Sequence, residues 1–273
     1  MSNILTRTIY GGLFIALVMG AFLLGEYVSA VALGGFMILG LLEFYKFFSE
    51  IENPQVKPVK FIGLFGGIIL FSTLIVLEVT QYDFDILLVL IPLFFLPLFS
   101  IVFSREENPL LNLTVTFFSW IYILLPFYIM FKIYLFESDV TFQWTYVIGF
   151  FILVWSNDTF AYLSGRFFGK HKFFERISPK KTWEGAIGGF LMTIVFGIIY
   201  TSLFDKDYLF WITAAIFVSP VSILGDLIES RFKRLYNIKD SGTILPGHGG
   251  VLDRFDASLY AAPFFYLLLV MYF

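Results

Sequence analysis

The sequence predicts an all-α integral membrane protein with about nine transmembrane helices. Three observations predict it. First, the chain is 59% hydrophobic and only 14% charged, where a soluble domain carries about 25% charged residues. Second, apolar runs close to the roughly 20 residues that cross a hydrocarbon core recur from one end to the other. Third, basic residues concentrate on alternate loops, the asymmetry expected of cytoplasmic segments.

The spans follow in order. The first two, 8–25 and 28–48, are separated only by Gly25-Glu26. Val28-Ser29-Ala30 has the small-residue spacing of a signal cleavage site, but apolar sequence continues past it and the preceding basic residue is a lone Arg7. The first span is therefore expected to stay uncleaved. Further spans fall at 61–79, 86–103, 111–135, 145–162, 186–204, 209–228 and 255–273. With the N-terminus in the cytoplasm and the C-terminus outside, every one of the 18 basic residues except Lys132 and Lys206 lies in a cytoplasmic segment. The opposite loops carry Glu26, Asp83, Asp85, Glu137, Asp139, Asp205 and Asp207.

The chain reads as a single polytopic membrane domain, 1–273. Residues 1–145 form a helical scaffold with short loops, and residues 146–273 hold the polar residues with chemical promise. No repeat or low-complexity tract appears. The absence of cysteine excludes disulfides, thiolate catalysis and thiolate metal sites. The two histidines, His171 and His248, lack the paired spacing of a zinc site. The net charge of −3 says little, because the charges are sorted by side; no nucleic-acid partner is expected.

Residues 226–256 are the densest polar run. If the apolar helix around 210–228 continues past its membrane end, Asp226, Glu229, Ser230 and Lys233 share one face, at offsets of 0, 3, 4 and 7. Arg234, Lys239 and Asp240 follow. A turn is expected at Pro246-Gly247, then His248 and Gly249-Gly250, where glycine lets the backbone approach a ligand. Asp253, Arg254 and Asp256 open the last span. An ordinary charged loop would account for the basic residues but not for the acids among them. Mg²⁺ takes one or two carboxylates and completes its shell with water and phosphates. Asp226 and Asp253, at facing ends of consecutive antiparallel helices, are a natural pair for it. His248 either bonds a phosphate or orients a carboxylate. Carboxylates for a metal, cations for phosphates and glycines for close approach together equip a polyphosphate site.

Two further constellations stand out. Asn157-Asp158 ends the sixth span, where ionisable groups are expensive. They either form a self-contained helix end with Ser156 or face a polar cavity shared with the C-terminal site. Lys180 and Lys181 precede a helix expected to begin near Thr182, whose free N–H groups favour an anion; they are read as meeting a lipid or nucleotide phosphate. Lys170, Lys172 and Arg176 need only the attraction of anionic lipids, and His171 reads as a surface residue. Gly185 and Gly189 form a small-xxx-small pair for helix packing.

No Walker loop, nucleophile elbow or Ser-His-Asp order appears. That fits a reaction whose nucleophile is a phosphate monoester, already anionic, so that catalysis reduces to positioning and charge neutralisation. The run from Ser230-Arg231-Phe232-Lys233-Arg234 through Lys239-Asp240-Ser241-Gly242 to Leu245-Pro246-Gly247-His248-Gly249-Gly250-Val251-Leu252-Asp253-Arg254-Phe255-Asp256 resembles the signature of the phosphatidate cytidylyltransferases (CDP-diacylglycerol synthases). Asn157-Asp158-Thr159-Phe160-Ala161-Tyr162 and Ser178-Pro179-Lys180-Lys181-Thr182-Trp183-Glu184-Gly185 resemble the same family.

The resemblance implies an enzyme of the bacterial inner-membrane type with a cytoplasmic active site. It implies CTP and phosphatidate as substrates, CDP-diacylglycerol and pyrophosphate as products, Mg²⁺, a second cation such as K⁺, and a homodimer. On this reading Asp226 and Asp253 hold the metal with Asp256 and Glu229 in support. Lys233, Arg234, Lys239 and Arg254 clamp the triphosphate, with Ser230, Asp240, His248, Gly249 and Gly250 around it. Lys180 and Lys181, with Asn157 and Asp158, receive the lipid headgroup. A CTP-dependent polyprenol kinase would need a base for its alcohol acceptor. A transporter carrying ions at Asp158 and Asp226 would show inverted repeats and broken helices in both halves, which the sequence does not announce, and would leave the run after 230 unexplained.

Overall fold

A computed structural model describes residues 3–49, 55–82, 84–236, 238, 240–242 and 249–273. The expected turn at Pro246-Gly247, together with Lys239 and His248, lies outside them. The described chain is helical, with one isolated antiparallel bridge between Lys172 and Thr182. Among the described residues, seven helices are long and apolar enough to cross a membrane, and two shorter apolar stretches, Ile9–Leu23 and Leu87–Phe103, accompany them.

Sequence chemistry sets the boundaries. Helix α1 (Asn3–Leu23) gives way to α2 (Glu26–Ser49) through Gly25, whose φ of 113° suits glycine. Helix α3 (Lys60–Thr80) ends at Gln81 in the left-handed region. The expected span at 86–103 is broken. Pro92 lies inside α4 (Leu87–Phe95), Pro97 inside a 3₁₀ turn (Leu96–Leu98), and α5 (Phe99–Phe103) completes the stretch. Each proline removes a backbone donor and crowds the preceding turn. The span Pro109–Tyr134 consists of α6 (Pro109–Ser119), a π turn (Trp120–Leu124) and α7 (Leu125–Tyr134). The widened turn ends just before Pro126, which has no N–H to return.

Four longer helices follow: α8 (Trp144–Phe168), α9 (Trp183–Phe204), α10 (Tyr208–Leu235) and α11 (Leu252–Tyr272). Thr182 caps α9, its hydroxyl accepting from Gly185 N–H at 3.2 Å. Asp207 caps α10, accepting from Phe210 N–H at 2.7 Å and from the Tyr272 hydroxyl at 2.8 Å. These donors hold the Asp207 carboxyl below the usual carboxylate range.

The chain divides into two compact units, Met1–Phe131 with Ser241–Leu252, and Lys132–Asp240 with Asp253–Phe273. In the first, α2, α3 and the π turn pack closely. The Tyr45 hydroxyl lies 2.6 Å from Ser119 Oγ, and Trp120 Nε1 donates to the Gly63 carbonyl at 2.8 Å. In the second, α9 lies tightly along α8. A Cβ at Gly185 would fall 2.7 Å from the Ala161 carbonyl, and one at Gly189 would fall 2.8 Å from that of Asn157, the role read for that pair. Tyr146, Trp211, Phe210 and Phe265 form an aromatic core. Large apolar side chains such as Val31, Phe103 and Leu203 are more than two-thirds exposed, as suits surfaces solvated by lipid tails.

Helices α10 and α11 meet at Gly225. A Cβ there would stand 2.8 Å from both the Asp256 carbonyl oxygen and Tyr260 Cβ, and 3.2 Å from Ala257 Cα. Backbone cannot swing aside as a side chain can. Gly225→Ala is expected to destabilise the detergent-solubilised protein by about 1–3 kcal/mol. Gly35→Ala, with open space around it, should be neutral or slightly stabilising; thermal unfolding of the two variants checks this.

Candidate active site

Helix α10 runs on past its apolar part, as the pattern after residue 226 predicts. No glycine or proline interrupts it from Asp226 to Leu235, and Lys233 and Arg234 favour its C-terminal end. The shared face is realised. Ser230 Oγ donates to Asp226 Oδ1 at 3.1 Å, and Lys233 Nζ lies 3.2 Å from Glu229 Oε1. Glu229 is 1% exposed, and neither of its oxygens has a hydrogen bond among the described residues. The 3.2 Å approach of Lys233 is a charge contact outside hydrogen-bond geometry.

The start of α11 brings a second set of charges to this face. Lys233 Nζ donates to Asp253 Oδ1 at 2.7 Å, so one ammonium serves carboxylates from two helices. The close approach at Gly225 sets Asp256 beside the same face, and the charges of Glu229, Asp226 and Asp158 all act on it. Arg254 Nε is buried without a hydrogen-bond partner among the described residues.

Helices α8 and α9 supply the rest. Asn157 is fully buried, its Oδ1 accepting from Ser219 Oγ at 2.6 Å. It ties α8 to α10, while the adjacent Asp158 remains exposed. Asn157 Nδ2 lies 3.4 Å from Asp158 Oδ1. At the start of α9, Lys181 Nζ pairs with Asp226 Oδ2 at 2.8 Å and reaches the Ile223 carbonyl at 3.4 Å. Lys181 therefore joins the cluster through a carboxylate that the sequence reading gives to a metal.

The loop before Lys181 is organised by Glu184. Its carboxylate accepts from the backbone N–H groups of Lys170 and His171 and contacts His171 Nδ1 at 2.6 Å. His171 is thus the exposed surface residue expected of it, with a partner the sequence did not announce. Lys180 and Asp240 are exposed. Arg234 donates to the Ile238 carbonyl at 3.3 Å and closes the chain after α10. None of these three is brought to the carboxylates by a described contact.

Among the described residues, Asp158, Asp226, Glu229, Asp253 and Asp256 thus face Lys181, Lys233 and Arg254. Among the described residues no three acids or histidines converge as a ready metal cage. A magnesium ion does not require one, since it keeps water and substrate phosphates in its shell and needs one or two carboxylates. The partly exposed Asp226, with the Asp253 side chain buried on the facing helix, fits such an ion. The unpartnered Arg254 Nε fits a phosphate.

The glycine-rich segment belongs to the first unit. Gly249 has a φ of 81°. Gly250 and Ser241 lie against the carboxylate of Glu43 on α2, 3% exposed. Glu43 was not singled out in the sequence reading. Its signal was there: a carboxylate inside an apolar span is a functional candidate on cost alone.

A family model described as the cytidylyltransferase family matches residues 5–272. A phosphatidate cytidylyltransferase of Haemophilus influenzae is 33% identical, over 93% of this chain and 93% of its own. Those of Bacillus subtilis and Staphylococcus saprophyticus are 33% and 34% identical, over 82% and 88% of this chain and 84% and 93% of their own. The expected likeness extends over nearly the whole chain, beyond the C-terminal motifs that announced it. This chain belongs to the cytidylyltransferase family.

Proposed function

We propose that the protein is a phosphatidate cytidylyltransferase: it transfers the cytidylyl group of CTP to phosphatidate, giving CDP-diacylglycerol and pyrophosphate in phospholipid synthesis. The observation that carries the reading is the charged cluster on α8, α9, α10 and α11, in a chain matched by the family model from residue 5 to 272. It is a multi-pass integral membrane protein. Nine spans result if Ile9–Leu23 and Leu87–Phe103 are counted with the seven long helices. The distribution of basic residues supports an N-terminus and an active site in the cytoplasm. A homodimer and a second cation such as K⁺ belong to the same reading.

A lipid phosphate oxygen attacks the α-phosphorus of CTP. A new phosphorus–oxygen bond forms as the bond to the bridging oxygen of the β-phosphate breaks, and pyrophosphate leaves. The nucleophile is already an anion, so no side chain has to remove a proton. The protein's work is to bring two anions together and to balance the charge that develops. On this reading Lys233, Arg234 and Arg254 clamp the triphosphate with Ser230 and Asp240, and Lys239, His248, Gly249 and Gly250 keep the phosphate-binding role that the family resemblance implies. Lys180 and Lys181 receive the lipid phosphate beside Asp158, and Asn157 orients that helix through Ser219. Asp226 and Asp253, supported by Asp256 and Glu229, would hold Mg²⁺, which neutralises phosphate charge when bound.

With CTP labelled at the α- or the γ-phosphorus and phosphatidate in detergent, α-label is expected in the lipid and γ-label in released pyrophosphate. γ-Label in a lipid alcohol offered instead would make the protein a kinase. Asp253→Asn should lower kcat by at least about 10²-fold, the scale of losing a group that balances transition-state charge. Its unfolding midpoint should fall, because the buried pair with Lys233 loses one charge, so turnover is compared per mole of folded protein. Near-parental turnover by Asp253→Asn would remove Asp253 from the metal site.

A further inference from the structure

Helix α11 begins without a cap of its own. The residues before it, Gly249-Gly250-Val251, offer no Ser, Thr, Asp or Asn to accept from its first N–H groups. The acceptor comes from far away in sequence. Glu43 Oε1 accepts from Val251 N–H and Oε2 from Leu252 N–H, both at 2.9 Å, and Oε2 also accepts from Ser241 Oγ at 3.1 Å. The carboxylate is buried, and an anion at a helix N-terminus is favourably placed.

Glu43 thus grips both described ends of the 241–252 segment. The glycines there serve that grip. A Cβ on Gly242 would lie 2.6 Å from Glu43 Oε1, and one on Gly250 would collide with both Ser241 Oγ and Glu43 Oε2. Gly250 is therefore required by the carboxylate behind it, whatever it offers to a phosphate in front. A buried carboxylate in a membrane span is costly, and leucine would pack as well if α2 only had to be filled.

We propose that Glu43 is a positioning residue for nucleotide binding, fixing Gly249 and Gly250 and the first backbone N–H groups of α11. The proposal rests on the assignment of this segment to CTP. It differs from a plain packing role in its consequence. Loss of folded protein lowers apparent kcat and leaves KM unchanged, whereas a loosened nucleotide segment raises KM for CTP and spares KM for phosphatidate.

Glu43→Gln keeps the shape of the side chain and replaces one acceptor oxygen by a donor; Glu43→Ala removes the grip altogether. Both are to be compared with the parent in detergent by hydrogen exchange of peptides covering 241–252 and by steady-state kinetics in each substrate. Glu43→Gln is expected to exchange faster at 241–252, with peptides from α8 and α9 unchanged. KM for CTP should rise about 10- to 100-fold, the equivalent of one lost charge-assisted hydrogen bond. Parental exchange at 241–252 in both variants would overturn the proposal. So would faster exchange with an unchanged KM for CTP. Failure of the parent itself to transfer the α-label would refute the functional reading, while the exchange measurement would still decide whether Glu43 holds the segment.

Discussion

Carboxylates held near a membrane interior by lysines are the constraint on which the second unit depends. Lys233 sits between Glu229 and Asp253, and Lys181 reaches Asp226 from the start of α9. Desolvating such charges is expensive, and removing one partner of a buried pair costs about 3–5 kcal/mol. The helices are therefore tied at this end by charge as well as by apolar packing. The close contacts at Gly185, Gly189 and Gly225 bring the backbones near enough for those pairs to form. Asn157 and Ser219 add a neutral tie between α8 and α10 that leaves Asp158 open.

The same constraint shapes the chemistry. A cluster with more carboxylates than cations attracts an added cation, and its lysines are already beside the acids that would share it. No cysteine is available, and no serine–histidine–acid order offers a covalent route. On the proposed reading the site gathers two phosphates and balances their charge, which suffices when the attacking group is itself an anion. Glu43 shows this economy in the first unit, where one buried acid caps a helix that lacks its own cap and also accepts from Ser241.

Much of this was legible in the sequence because it is local. The face carrying Asp226, Glu229, Ser230 and Lys233 follows from helical spacing alone, and the cap at Thr182 places Lys180 and Lys181 just before α9. The break at 87–103 was legible too, in Pro92 and Pro97, but hydropathy averages over prolines and reads one span. Contacts between distant segments were not legible. Lys181 meets Asp226 across 45 residues of chain, and Glu43 meets Val251 across 208; no periodicity reports either. Asn157 is polar in a span, and its bond to Ser219 on α10 is another long-range partner that helical spacing does not report. The joining of residues 241–252 to the first unit was likewise invisible to a reading that divided the chain at residue 145.

On the proposed mechanism the lipid phosphate attacks CTP directly, with the protein supplying position and charge and no covalent partner. Stereochemistry at the reacting phosphorus tests it most directly. CTP carrying sulfur at the α-phosphorus, as a single diastereomer, should yield a thio-substituted CDP-diacylglycerol with inverted configuration, the mark of one in-line displacement. Retention would require two displacements, and hence a cytidylyl–enzyme intermediate that this account denies.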